Sequence, residues 1–490
     1  MLNKKEISVY WFKRDLRLVD NPALSAALKS EHPTLMVYIH EPSVWQNDHY
    51  SQRHRHFINE SLTDLDETLS EHGIAVLAVE SEVIPFFEKL REHAKLTSVY
   101  STEESGLAIT YERDLKFHEY CNNHDISWSE YQNNGVVRGL KNRDGWSKTW
   151  YAFMNKSIEY IDLNNSNFIS RDDFDFIKDG FLLFKKEIYS TNFQRGGRRA
   201  ALSWQSSFFE ERIAYYSDYI SKPEQSHYGC SRLSPYFAWG NLSIREVYQK
   251  AKTFKAASTY KKQTNAFMSR LRWQSHFIQK FEMECRMEFE AVNKGFLTLE
   301  QPINENYVES WKSGTTGYPL VDASINCVKQ TGYLNFRMRA MITSFLTHHL
   351  FQHFTTGAAW LARQFLDFEP GIHYGQFQMQ AGFTGTNTVR VYSPTKNAND
   401  HDPDAAYIKK YLPVLASLPT HLALEPWNIT PMEEKLYSFN YGTDYPKRIV
   451  DIKETRKYAL KQLYGHRKNE RTKLEKERIL RKHTIRRKNK

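Results

Sequence analysis

Cysteine is scarce. The 490 residues hold four, at 121, 230, 285 and 327, and no pair has CxxC spacing. They read as reduced thiols in a cytosolic compartment rather than a disulfide framework. No stretch approaches the roughly 18 apolar residues a transmembrane helix needs, so no membrane contact is expected. The opening MLNKKEISVYWFKRD meets charge too early for a secretory signal. No Gly-x-Gly-x-x-Gly follows the first apolar run, which argues against an ordinary dinucleotide-binding domain.

Aromatic residues, by contrast, make up 14% of the chain, which suits stacking on planar ligands as well as a large core. The length allows two or three domains. The formal net charge of +10 is concentrated at the end. Residues 466–490 carry twelve Lys and Arg, among them Arg467, Lys473, Arg486, Arg487 and Lys488, against three Glu, leaving the rest near neutral. Such a tail is either a solvated, frayed helix or a sequence-independent grip on phosphates.

Residues 6–131 alternate short apolar runs with amphipathic stretches. ISVYWF (7–12), TLMVYIH (34–40), AVLAVE (75–80), TSVYS (97–101) and ISWSEY (126–131) read as strands. Segments 22–29, 56–72, 82–94 and 112–124 read as helices, the first with Pro22 at its start. The alternation predicts a parallel, doubly wound α/β sheet. Residues 136–195 show no sustained period and read as a connector. From Gly196–Gly197 the pattern turns helical and stays so to about 465. The expected domains are therefore 1–135, α/β; 136–195, connector; 196–465, all-helical; and 466–490, the basic tail.

The densest stretch is 311–413. Its first part has helical spacing through Met341, Phe345 and Leu350, and carries Arg337 and Arg339 on an otherwise apolar segment. Asp367 follows, just before Pro370–Gly371. A buried Arg needs a carboxylate, so Arg339 and Asp367 are either a structural ion pair or part of a site. The words WKSGTTGYPLVDA (311–323), GYLNFRMRAM (332–341) and DPDAAYIKKYLP (402–413), with the Arg339-to-Asp367 spacing, resemble the flavin-binding core of the photolyase/cryptochrome family. VYWFKRDLRLVDNPAL (9–24) resembles the opening of that family's N-terminal domain.

The resemblance implies FAD held by the helical domain, and an antenna chromophore, folate or deazaflavin, near Glu103, Glu104 and Gly106. It implies FAD contacts at Tyr219, Cys230, Ser231, Arg232, Leu233, Ser234, Gln274, Phe336, Arg337, Arg339, Asp367, Glu369 and His373. Cys230 stands where the family usually has Thr. Trp273, Arg339, Asp367 and His373 are the implied catalytic residues, and Arg270, Trp273, Ala340 and Met379 the implied substrate contacts.

Several positions depart from the family pattern. Arg270 replaces the Glu that meets the lesion, Trp273-Gln274-Ser275 stands where the family has Trp-Arg-Glu, and Met379 replaces the second pocket Trp. His373 replaces the usual Asn beside the flavin N5, where a positive imidazole would favour a reduced, anionic ring. Phe377, Phe354 and Gln301 occupy the positions of the usual electron-relay Trp residues; Tyr374 and Tyr392 are candidates for another route. Phe336 and Ala340 occupy the positions of the His pair of (6-4) photolyases. The four scattered Cys do not match the iron–sulfur branch. The leading expectation is a deoxyribodipyrimidine photolyase, a carbon–carbon lyase splitting cyclobutane dimers in UV-damaged DNA with an electron from light-excited reduced FAD. It is expected to be a cytoplasmic, nucleoid-associated monomer. The alternatives are a cryptochrome-like blue-light receptor, (6-4) photoproduct repair, and a flavoprotein preferring single strands or RNA.

Overall fold

A computed structural model describes residues 4–185 and 192–484. Arg486, Arg487 and Lys488 of the basic tail lie outside the described residues. Five parallel strands, β1 (Glu6–Phe12), β2 (Thr34–His40), β3 (Val76–Glu80), β4 (Lys95–Thr102) and β5 (Ser127–Tyr131), form one sheet in the order β3-β2-β1-β4-β5. Each strand read from the sequence is present within a residue or two. β1 and β2 are buried almost throughout, which explains their near-continuous apolar runs.

Alternate residues of β1 feed different cores. Ile7, Val9 and Trp11 pack with Leu35, Val37, Phe86 and Phe117 beneath the helices Val83–His93 and Ala108–Asn123. Tyr10 and Phe12 join a larger cluster that continues into the helical half through Trp239, Phe345 and Phe377. The sheet is thus fused to the helical half by one of its faces.

Gly196 and Gly197 make that junction. A Cβ on Gly196 would lie 2.1 Å from the Phe57 carbonyl oxygen, and Gly197 has φ +95°. Their amides donate to Glu60 and Ser61, and the Arg198 amide to Asp64, all on helix Gln52–Ser70. Only glycine permits this approach and backbone conformation.

Two expectations are corrected. The segment read as a featureless connector contains helices Trp146–Met154 and Arg171–Lys178. The first is nine residues with Trp146, Trp150 and Phe153 buried, too short to give a sustained period. The described part of the tail, up to Thr484, is neither a frayed helix nor wholly free for phosphates. Helix Glu470–His483 docks on the molecule, and Arg478, Lys482 and His483 converge with Arg286 on Glu284. The helix Phe336–Ser344 continues into a wider π-helical turn, Phe345–His349. Among the described residues no helix is long and apolar enough to cross a membrane, and the four cysteines are unbridged.

Burial holds eight histidines neutral. It pushes His40, His54, His227, His276, His348 and His373 down to about 3, and His49 and His483 to about 4. The unfolded chain takes up these protons near pH 6.5, the folded chain far lower, so stability is lost as pH falls below about 6.5. Burial raises Glu41 and Glu288 to about 7 and Asp322 to about 6, which opposes the trend with fewer groups. The denaturant midpoint should therefore fall steadily from pH 7.5 to pH 5; a flat or rising midpoint would contradict this reading.

Candidate cofactor and substrate cavity

A cavity opens in the helical half, with about 1150 Å³ of empty space that runs out into solvent. Two long walls are helices Lys261–Glu282 and Pro370–Gln380. They approach closely because Gly371 and Gly375 lie against the partner helix. A Cβ on Gly371 would sit 2.6 Å from Ile278 Cα, and one on Gly375 2.7 Å from the Phe277 ring.

Asp367 and Arg339 form the floor. Arg339 Nη2 donates to both Asp367 oxygens at 2.8 Å, while its Nε donates to the Leu334 carbonyl at 2.9 Å. Its guanidinium also stacks on Phe365, 3.9 Å from the ring centroid. Both side chains are largely buried and both line the cavity. Glu369 lines it too; burial raises its pKa, against the pull of Arg14 at the end of β1.

A polar wall comes from Cys230, Ser231, Arg232 and Ser234. Arg232 adopts φ +60°, an uncommon backbone for a residue with a side chain, and stacks on Tyr333 at 3.9 Å. The following helix, Ser234–Ala238, has only five residues, so charge and hydroxyl groups rather than a helix dipole define this wall. Asn335, the N-cap of Phe336–Ser344, turns its Oδ1 to the Met338 amide. Asn335 Nδ2 and Arg232 Nε are buried with no partner in the protein. At the mouth, Trp273 is 42% exposed, beside exposed Arg270 and half-buried Gln274.

Of the expected site residues, Cys230, Ser231, Arg232, Ser234, Arg270, Trp273, Gln274, Phe336, Arg339, Asp367 and Glu369 line this one cavity. Others do not. Helix Pro370–Gln380 turns Ile372 and Gln376 inward, so His373 is one residue out of phase. Its imidazole packs against Phe368 and Phe377, and Nε2 donates to the Ala358 carbonyl at 2.8 Å. Burial pushes it down to about 3, so the expected positive charge is not there at neutral pH.

Tyr219 stacks on Tyr215 outside the lining, and Tyr216, one turn earlier, takes the inward place. Leu233 is buried behind the wall. Arg337 points to Ser221. Ala340 is buried in the core, one turn beyond Phe336, and Met379 lies one turn past Gln376; neither is in the lining.

Sequence reading missed Tyr216, Tyr333, Asn335, Ile372 and Gln376. Asn335 alone carried a signal, as a helix N-cap inside the GYLNFRMRAM word. Phe377 and Phe354 are fully packed. Tyr374 is buried, with its hydroxyl donating to His49 Nε2.

Two family descriptions match the sequence: "DNA photolyase" over residues 8–146 and "FAD binding domain of DNA photolyase" over 267–465. A cryptochrome DASH of Gloeobacter violaceus is 32% identical over 45% of each chain. At 30% identity and above, the match spans about half the length of such relatives. The deoxyribodipyrimidine photo-lyase of Escherichia coli is 25% identical over 92% of this chain and 97% of that one. The crystal structure of a Synechocystis cryptochrome superposes with TM-score 0.82 at 22% identity, over 94% of this chain and all of that one, which establishes the fold.

The cavity fits FAD. Its unpartnered Arg232 and Asn335 donors, the hydroxyls of Ser231 and Ser234, and the polarised Arg339–Asp367 pair match a ligand with phosphates and a polar heteroaromatic ring. Asp367→Ala leaves Arg339 without its carboxylate, a loss of about 3–5 kcal/mol for a buried pair. The purified variant should retain less than a tenth of the wild-type FAD content and unfold at lower denaturant, whereas Asp367→Asn should hold more FAD than Ala. Full FAD occupancy in Asp367→Ala would refute this placement.

Proposed function

Because this chain belongs to the photolyase/cryptochrome family and carries its FAD-binding domain, we propose that it repairs UV-damaged DNA by splitting cyclobutane pyrimidine dimers in blue light. The observation that carries the proposal is that the exposed Trp273 and Arg270 share one open cavity with the Arg339–Asp367 pair. Reduced FAD held there by Arg339, Asp367 and their neighbours would supply the light-driven electron that dimer splitting needs.

The chain's own side chains do the rest. Arg339, Asp367, Asn335, Arg232, Ser231 and Ser234 hold and orient the cofactor. Trp273 stacks on a flipped-out base, a contact of about 1–3 kcal/mol. Arg270 meets a phosphate at the rim without base readout. Phe277, Phe336 and Ile372 present apolar surface that excludes water. A damaged pair costs less to extrude than an intact one, which favours the lesion.

No histidine lines the cavity among the described residues, so the proton donor that (6-4) chemistry draws on is missing. That favours cyclobutane dimers. A second chromophore, folate or deazaflavin, would bind near the carboxyl ends of β1 and β4, where Arg14, Glu103 and Glu104 line narrow crevices. A sensor reading is favoured by one feature, the altered lesion pocket at Arg270, Gln274 and Met379.

The direct test is a blue-light repair assay with chemically reduced protein and oligonucleotides carrying one cyclobutane dimer or one (6-4) photoproduct. Restoration of the dimer alone is expected, and Trp273→Ala should weaken dimer binding by about tenfold. No restoration of either lesion, with FAD bound and photoactive, would transfer the proposal to a receptor.

A further inference from the structure

A second crevice, with about 490 Å³ of empty space, lies beside the main cavity and shares Trp273 with it. Its other lining residues are Trp146, Ser269, Arg272 and His276. Trp146 comes from the short helix of the connecting segment; the rest come from the Trp273 helix.

The crevice is built rather than incidental. Trp146 is 2% exposed, and its Nε1 is fixed by Gln279 Oε1 at 3.1 Å. Arg143, fully buried, stacks on Trp146 at 3.9 Å, and its Nε has no partner. Its Nη2 donates to His276 Nδ1 at 3.1 Å, and Nη1 to the His276 carbonyl at 3.3 Å. With Nδ1 accepting, the His276 proton sits on Nε2 and makes it a donor. Arg272 is positioned by the Ser147 hydroxyl. The crevice therefore combines two indoles, one guanidinium, one hydroxyl and one imidazole donor. The exposed Trp273 indole suits a heteroaromatic ring, a guanidinium suits a phosphate, and no carboxylate lines the crevice to oppose an anion.

Resting on the repair reading above, we propose that this crevice binds the nucleotide next to the lesion on the same DNA strand. Its base stacks against the exposed face of Trp273, with Trp146 as the buried back wall, and its phosphate pairs with Arg272. Trp273 then serves two neighbouring nucleotides: the flipped dimer in the main cavity and the flanking one in the crevice. The dimer is gripped with one neighbour already unstacked, which helps hold it out of the duplex.

The test is a binding titration with the wild-type FAD-loaded protein. The duplexes carry a cyclobutane dimer flanked by intact sequence, by an abasic residue immediately 5′, or by one immediately 3′. An undamaged duplex is the reference. An abasic residue on one side only should weaken binding by about tenfold, the scale of one lost stacking contact. Arg272→Ala, checked for normal FAD content and circular dichroism, should weaken binding to the intact flank by a similar factor. It should also respond less to the abasic residue. Equal affinity for all three damaged duplexes, with the dimer still preferred over undamaged DNA, would overturn the crevice assignment alone. No preference for the dimer at all would overturn the repair reading instead.

Discussion

The helices Lys261–Glu282 and Pro370–Gln380 can lie as close as they do only because Gly371 and Gly375 present no side chain to Ile278 and Phe277. The two long walls of the main cavity meet at that contact. It fixes where Trp273 and Arg270 stand on one helix relative to Ile372 and Gln376 on the other. It also sets Asp367 and Glu369 at the head of the second helix, where Arg339 and Arg14 meet them. A Cβ at either glycine would push the helices apart and open the floor as well as the mouth.

The cavity then divides by polarity. Arg339 and Asp367 bring a compensated charge pair into a largely apolar space. Arg232, strained and stacked, and Asn335, with an unsatisfied amide, supply donors that nothing in the protein uses. Unsatisfied buried donors are costly, and a polar ligand removes the cost. At the mouth the surface turns cationic and aromatic, the combination that single-stranded nucleic acid favours. One cavity therefore offers a polar interior for a cofactor and a stacking rim for a base. The sheet half contributes Arg14, which meets Glu369 and the Phe368 carbonyl behind this arrangement.

The five strands were legible in the sequence, β1 to β3 because burial on both faces leaves near-continuous apolar runs between helix signals, β4 and β5 by their place in the alternation. The Arg339–Asp367 pair was legible because a buried guanidinium demands a carboxylate. Helix phase was not. His373 and Ile372 differ by one residue and about 100° of rotation, and only the packing against Phe365, Phe368 and the Ala358 carbonyl decides which faces the cavity. The same holds for Tyr219 and Tyr216. The docking of the tail depends on Glu284, almost two hundred residues away, and no local pattern announces it. Trp146 looked like part of a linker because nine residues give too few turns to reveal a period.

The central claim is that one cavity holds the flavin against Arg339–Asp367 and the lesion against Trp273. A crystal structure of the FAD-loaded protein with a dimer-bearing duplex measures this directly. The account predicts the isoalloxazine beside the Arg339–Asp367 pair and the flipped dimer in contact with Trp273. A flavin bound elsewhere, or a dimer docked away from Trp273, would contradict it.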